Sequence, residues 1–264
     1  MEKIRKNNQN PQKTQILGVG INFQTLEEVL SGVEKWVNSN KRYQITTPNP
    51  EQLVLAQKDE GFKKTLNQTD LAIPDGVGIV WAAKILANNK FSNCKLGRLT
   101  GIDLMIELCK LAAKQNRQVF LLGAQNKTAQ KAAEELRIKY QLTKIEYSEG
   151  AGDIKNESEV ERTEIIKKIN CFKPDFLFVA YGAPFQEKWI SENLPYLKVK
   201  VAMSVGGAFD YLSGKVQRSP NWIRKIGLEW FWRLTRQPWR LTRQLRLIKF
   251  AFLVLKEKIR GNVA

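Results

Sequence analysis

Residues 118–148 read QVFLLGAQNKTAQKAAEELRIKYQLTKIEYS. A short apolar run, Gln118–Leu122, hands over through Gly123 to an amphipathic stretch, Lys127–Tyr140, and then to a second strand-like run, Thr143–Tyr147. Strand, helix, strand is the unit from which parallel sheets are built. The alternation continues outward on both sides. Upstream it predicts strands at Gln15–Ile21, Tyr43–Thr47 and Leu71–Ile73, with helices at Thr25–Asn38, Glu51–Asp59, Val77–Leu86 and Gly101–Lys114. Downstream it predicts strands at Asp175–Ala180 and Val199–Val205, with helices at Ser158–Asn170 and Phe185–Asn193. The fold class is therefore α/β, a mostly parallel sheet covered by helices on both faces.

Composition narrows the chemistry. Of 264 residues 43% are hydrophobic, enough for one sizeable core, and the formal net charge is +17. Such a charge favours anionic partners: nucleic acid, phosphorylated substrates or an anionic membrane. There is no histidine, so the usual general base and the commonest metal ligand are both missing. No Asp-X-Asp pair occurs either, so a metal held by a short acidic motif is not expected, and no cofactor is implied. The three cysteines, Cys94, Cys109 and Cys171, are odd in number and fit no zinc spacing, which reads as reduced and cytosolic. Residues 1–14 form a charged, Asn/Gln-rich tail without the apolar stretch of a signal peptide. No apolar run is long enough to span a bilayer.

The last fifty residues differ from the rest. From Lys215 to Ala264 there are thirteen Lys/Arg against two acids, interleaved with Trp222, Trp230, Phe231, Trp232, Trp239, Phe250 and Phe252. The expected division is a tail over 1–14, a catalytic α/β domain over 15–213 and a basic appendage over 214–264. Pro238 should interrupt the appendage, with one helix before it and another from about Pro238 to Lys258. Arg233, Arg236, Arg240, Arg243 and Arg246 recur at spacings of three or four and can share a face. That pattern reads either as a solvated basic face or, with Leu241, Leu245, Ile248 and Phe252 as its apolar side, as an interfacial helix.

Ligands of open α/β sheets bind at the carboxyl ends of strands. Five polar clusters fall there: Thr47-Pro48-Asn49, Pro74-Asp75-Gly76, Gly123-Ala124, Gly182-Ala183-Pro184-Phe185-Gln186 and Gly206-Gly207-Ala208-Phe209-Asp210. Each has a bland reading. Asp75-Gly76 can be a turn, Asn49 an Asx-turn residue before its helix, and each glycine the closure of a tight turn. Gly18-X-Gly20 lacks the third glycine and the downstream acid of a dinucleotide loop. Taken together on one rim, the clusters suit a sugar nucleotide. Backbone N–H groups in Gly-rich turns and at helix starts can hold a diphosphate. Asn, Gln and Thr can bind sugar hydroxyls, and a carboxylate can accept a proton from an acceptor hydroxyl.

In order along the chain stand Thr47-Pro48-Asn49, Ile73-Pro74-Asp75-Gly76, Arg98-Leu99-Thr100-Gly101, Phe120-Leu121-Leu122-Gly123, Gly182-Ala183-Pro184-X-Gln186-Glu187 and Val205-Gly206-Gly207-Ala208-Phe209-Asp210. Arg218-Ser219-Pro220 and Gly227-Leu228-Glu229-Trp230 follow. This set resembles the WecG/TagA/CpsF glycosyltransferase family from about Ile16 to Leu255. The resemblance implies a Rossmann-like core and an inverting, metal-independent enzyme. It would move N-acetylmannosamine or a related hexose from a UDP-sugar to a sugar on a polyprenyl diphosphate, in cell-wall or surface-polysaccharide synthesis. It implies Asp75 as general base, with Thr47 and Asn49 near the reacting sugars and Arg98 as a candidate substrate ligand. Gln186 and Asp210 would line the nucleotide side, and Gly123, Gly206 and Gly207 are further candidate substrate-binding residues. Arg233, Arg240 and Arg243, in the appendage, would help to bind the diphosphate and the membrane, with Arg240 acting on the departing UDP. It also implies self-association and a peripheral position on the inner face of the plasma membrane. The chain departs from the family's Glu-Pro-X-Arg at Gln237-Pro238-Trp239-Arg240, and from its Gly-Tyr pair at Gly150-Ala151-Gly152.

Two other classes compete. Basic charge with aromatics can grip single-stranded nucleic acid, but here the basic block is confined to a segment behind an enzyme-like core. A nucleotide-dependent oxidoreductase is the third reading. Vesicle binding without oligonucleotide binding, and protection from melting by UDP rather than NAD, would separate them from the first.

Overall fold

A computed structural model describes residues 13–86, 99–225, 227, 229–236 and 241–261. Its centre is a six-stranded parallel sheet in the order β4-β3-β8-β7-β5-β6, built from β3 (Tyr43–Thr46), β4 (Leu71–Ala72), β5 (Val119–Gly123), β6 (Ile145–Ser148), β7 (Phe176–Ala180) and β8 (Val201–Ser204). The expected α/β class is what the chain adopts. Both faces of the sheet are covered, so the central strands are apolar throughout. Side chains of successive residues enter different cores: Phe176 and Phe178 pack with Val119, Leu121, Val201 and Met203, whereas Leu177 and Val179 pack with Phe120, Leu122 and Ala202.

One face is covered by α1 (Leu26–Val37), α5 (Gly101–Lys114), α6 (Thr128–Tyr140) and the short α9 (Ala208–Leu212). α1 starts at Thr25, whose hydroxyl accepts the Glu28 N–H while the Glu28 carboxylate accepts the Thr25 N–H. It buries Val29, Val33 and Val37, four residues apart and hence on one side. The opposite face carries α7 (Glu159–Phe172) and α8 (Phe185–Asn193).

A third layer lies beyond the β3–β4 edge. It is made of α2 (Pro50–Ala56), α3 (Glu60–Gln68), α4 (Val77–Leu86) and an N-terminal hairpin of β1 (Lys13–Ile16) and β2 (Val19–Asn22). The single strand expected over Gln15–Ile21 is thus corrected to two antiparallel strands. Leu17 and Gly18, with φ of 52° and 73°, form the left-handed two-residue turn that matches strand twist. The hairpin stays outside the main sheet and docks on it through Asn22, whose Oδ1 accepts the Ala72 N–H at 2.9 Å. α3 was not expected. Asp59 caps it, and Phe62, Thr65 and Leu66 face inward.

The C-terminal segment forms α10 (Asn221–Lys225), α11 (Glu229–Arg236) and α12 (Leu241–Gly261), with the expected interruption at Pro238 outside the described residues. α12 packs on α2 and α4. It buries Phe250 and Val254 against Leu53, Val54, Ile79 and Ala83, and Glu257 accepts the Leu17 N–H at 2.9 Å. On the other side of α12 stand Leu245, Ile248, Phe252, Leu255 and Ile259, all exposed and spaced three, four, three and four residues apart. The expected apolar side at Leu245, Ile248 and Phe252 is therefore one of two; a second apolar face points into the molecule. Among the described residues no helix is long and apolar enough to cross a membrane.

Candidate active site

The strand order places β3 beside β8, and the chain leaves β3 into α2 of the third layer but β8 into α9 on the face of α1, α5 and α6. Neighbouring strands whose following segments part in this way open a crevice outside the carboxyl ends of the sheet. A cavity of about 730 Å³ occupies it. From the sheet come Thr47 and Asn49 after β3, Asp75 and Gly76 after β4, Tyr181 and Gly182 after β7, and Gly206 and Gly207 after β8. The first turns of α2, α4, α5 and α8 also border it, through Pro50, Val77, Gly101 and Gln186. Four helix N-termini facing one space favour an anion there.

The rim loops are tied to one another. The Asp75 N–H donates to the Pro48 carbonyl at 2.9 Å, joining the loop after β4 to the loop after β3. Gly76 follows with φ of +91°, a conformation that costs a side-chain-bearing residue strain. Thr47 packs its hydroxyl against the start of α5: a Cβ added to Gly101 would lie 2.8 Å from Thr47 Oγ1. Asn49 is the N-cap of α2. Its Oδ1 accepts the Gln52 N–H at 3.0 Å, and Gln52 Oε1 accepts the Asn49 N–H at 3.1 Å. The bland reading of Asn49 therefore holds for that oxygen.

Behind the rim lies a carboxyl that the sequence showed only as the end of the Gly182-Ala183-Pro184-X-Gln186-Glu187 motif, with no role attached. Glu187, on the first turn of α8, is fully buried. Its Oε1 accepts from Gln186 Nε2 at 2.8 Å and from Gln52 Nε2 at 3.1 Å. Its backbone carbonyl accepts from Gln44 Nε2 at 3.0 Å. Gln186 Oε1 accepts the N–H groups of Gly206 at 3.0 Å and Gly182 at 3.2 Å. Glu187 Oε2 and Ser204 Oγ are neighbours, both buried and without a well-formed hydrogen bond. Burial pushes the Glu187 pKa up, since desolvation disfavours the charged form.

The C-terminal segment closes the other side of the cavity with Gly227, Glu229 and Trp230, and with Arg246, Leu247, Phe250 and Ala251 of α12. Facing them on α4 are Val77 and Trp81. Gly227 comes so close to α4 that a Cβ would lie 2.6 Å from Val77 Cγ1. Arg218 fastens the segment to α5: one of its terminal nitrogens is 2.7 Å from Asp103 Oδ1, and its Nε is 3.7 Å from Glu229 Oε1. The cavity thus has a polar half at the strand ends and an apolar, cation-edged half under α11 and α12.

Of the residues expected at the site, Thr47, Asn49, Asp75, Gln186, Gly206, Gly207 and Asp210 line this one cavity. Asp210 also stands 3.9 Å from Lys215. Gly123 does not line it; a Cβ there would meet the Ala180 backbone and the Tyr181 ring at 3.0 Å, which makes Gly123 a site of close chain packing. Arg98 and Arg240 lie outside the described residues, as do the side chains of Arg233 and Arg243 on α11 and α12. Glu51, Trp81, Tyr181, Glu229, Trp230 and Arg246 are lining residues that the sequence did not disclose as such. Tyr181 could have been suspected from its position directly after β7. Its hydroxyl is lodged where a side chain on Gly150 would be, since a Cβ there would collide with it, and burial pushes its phenol pKa up. Among the described residues no group of three or more His, Cys, Asp or Glu side chains could hold a metal ion.

The sequence model of the glycosyl transferase WecG/TagA/CpsF family matches residues 14–264. Curated relatives carry the name N-acetylglucosaminyldiphosphoundecaprenol N-acetyl-beta-D-mannosaminyltransferase. One from Bacillus subtilis (strain 168) is 36% identical over 215 residues, covering 81% of this chain and 79% of the relative. Another, from Staphylococcus aureus (strain MRSA252), is 30% identical over 251 residues, covering 94% of each chain.

Proposed function

This chain belongs to the glycosyl transferase WecG/TagA/CpsF family, and from that premise we propose that it transfers N-acetylmannosamine from a UDP-sugar to N-acetylglucosamine on a polyprenyl diphosphate. The observation that carries the reading is the single cavity that gathers Thr47, Asn49, Asp75, Gln186 and Asp210 opposite Arg246 and an apolar wall. The polar half suits two sugars and a nucleotide. The apolar half suits the start of a lipid.

The proposed step is one displacement. The acceptor hydroxyl attacks the anomeric carbon, Asp75 takes its proton, and the bond to UDP breaks with both electrons going to the diphosphate. The relatives' names specify a β-linked product; starting from an α-linked nucleotide sugar, one displacement inverts the centre. Charge growing on UDP needs preorganised donors. Helix N-termini on the rim and the appendage arginines, Arg240 with Arg233 and Arg243, are proposed for that role, and Arg98 as a further substrate ligand. Because the reaction would join a water-soluble donor to a lipid-borne acceptor, the exposed apolar stripe of α12 and the appendage's basic charge are proposed to seat the protein on the inner membrane surface. Self-association is part of the same proposal.

The test is to offer UDP-N-acetylmannosamine, UDP-N-acetylglucosamine and UDP-glucose with a short-chain polyprenyl-diphosphate N-acetylglucosamine acceptor and to follow the product by mass. A disaccharide lipid formed from the first donor alone supports the reading. No product from any UDP-sugar overturns it.

A further inference from the structure

We infer that Glu187 is a positioning residue: its buried carboxyl holds three cavity loops in register through the side-chain amides of Gln52 and Gln186. The argument is geometric. Glu187 does not line the cavity, yet both amides that converge on its Oε1 belong to residues that do. Through Gln52 the carboxyl fixes the capping box of Asn49, and so the loop that carries Thr47 and Asn49. Through Gln186 it fixes the backbone of Gly182 after β7 and of Gly206 after β8. Gln186 can accept those two N–H groups only with its Oε1 turned toward them, and the bond from its Nε2 to Glu187 determines that orientation. One acceptor thus sets the amide orientation of two side chains and, through them, the spacing of three turns.

Burial pushes the carboxyl toward its neutral form, in which it has an O–H for its neighbour Ser204 while Oε1 keeps accepting. Glutamine is then a faithful replacement, with Oε1 accepting from Gln52 and Gln186 and Nε2 donating to Ser204. Leucine of similar size leaves both amides without their acceptor. Buried polar groups that lose a partner reorient or draw in water, and the loops move with them.

The kinetic consequence rests on the proposed transferase activity; the structural consequence does not. E187Q should keep wild-type protection of the Gly182 and Gly206 amides in hydrogen exchange followed by NMR, and wild-type kcat. E187L should lose protection at both amides by at least about tenfold. Its kcat should fall by about 10²-fold, the scale of a displacement near 1 Å at a reacting centre, with a smaller change in donor KM. Should E187L fail to fold, E187D, which withdraws the carboxyl by one methylene, replaces it with the same expected losses. Unchanged exchange at Gly182 and Gly206 in both E187L and E187D overturns the inference, whatever the kinetics. E187Q as impaired as E187L also overturns it, because a fixed charge rather than the amide network would then matter. Lost protection in a protein whose wild type turns over no donor leaves the positioning role standing and overturns the proposed function alone.

Discussion

The backbone N–H of Asp75 donates to the carbonyl of Pro48 at 2.9 Å, so the carboxylate proposed as general base is mounted on the loop that carries Thr47 and Asn49. A base so mounted on the loop proposed to contact the substrate would have little freedom to wander from the acceptor hydroxyl. D75N keeps this backbone bond and the shape of the side chain and removes only basicity. Turnover should fall by about 10²–10⁴-fold while the melting temperature and UDP binding stay as in wild type. Near-wild-type kcat in D75N removes Asp75 from the role.

Turnover should persist in EDTA. The chain has no histidine and no Asp-X-Asp pair, and arginines and helix N-termini are the groups available to meet the diphosphate. Product formation is compared with and without chelator on donor and acceptor freed of divalent ions. Full loss with EDTA, restored by Mn²⁺ or Mg²⁺, shows that the diphosphate is neutralised by a cation instead.

Arg218 joins Asp103 of α5 at 2.7 Å and so presses the segment bearing Glu229 and Trp230 against the cavity. The pair is partly exposed, so a double-mutant cycle of R218A and D103A should give a coupling of about 1 kcal/mol. R218A alone should also lower kcat/KM for the lipid acceptor, because the cavity's apolar half loses its brace. Additive single-mutant effects in urea unfolding show that the two side chains do not support each other.

The stripe of Leu245, Ile248, Phe252, Leu255 and Ile259 faces away from the body. I248E with F252E should cut binding to anionic vesicles by at least about 10²-fold, from two apolar side chains worth roughly 1.5–3 kcal/mol each. Urea stability should stay within about 0.5 kcal/mol of wild type, as for other surface substitutions. F250A on the opposite face should do the reverse, costing about 3–5 kcal/mol of stability. Its vesicle affinity should match wild type, measured well below its melting temperature. Undiminished sedimentation of the double variant with vesicles removes α12 from membrane contact.

What the sequence disclosed and what it hid follow from range of interaction. The cores of β5, β7 and β8 are legible because strands covered on both faces read as unbroken apolar runs. The polar clusters at the strand ends were legible as a group, since a parallel sheet places all of its carboxyl ends on one side. The hairpin was misread as one strand because Leu17-Gly18 lacks the Asn-Gly signature of its turn. α3 was missed because its sequence EGFKKTLNQ carries few apolar residues, and Phe62 and Leu66 are inward only once the third layer exists. Gly123 was expected among the substrate-binding residues; in the fold its lack of a side chain lets Ala180 and Tyr181 pass close by, a contact between segments that the sequence does not show. Glu187 stood in the Gly182-Ala183-Pro184-X-Gln186-Glu187 motif but its role was hidden, because an acidic residue on a first helical turn normally faces water, and its three glutamine partners come from residues 44, 52 and 186.

α12 presents one apolar face to the body and another outward, and Glu257 pins it to the turn of the N-terminal hairpin. It is therefore a rigid keel rather than a tether. A protein seated on lipid through such a helix has a fixed tilt, with the cavity at a constant height above the headgroups. The proposed lipid-borne acceptor would then be met by lateral diffusion, a search in two dimensions with its first sugar already near the level of Asp75. Only the donor would arrive from the third dimension.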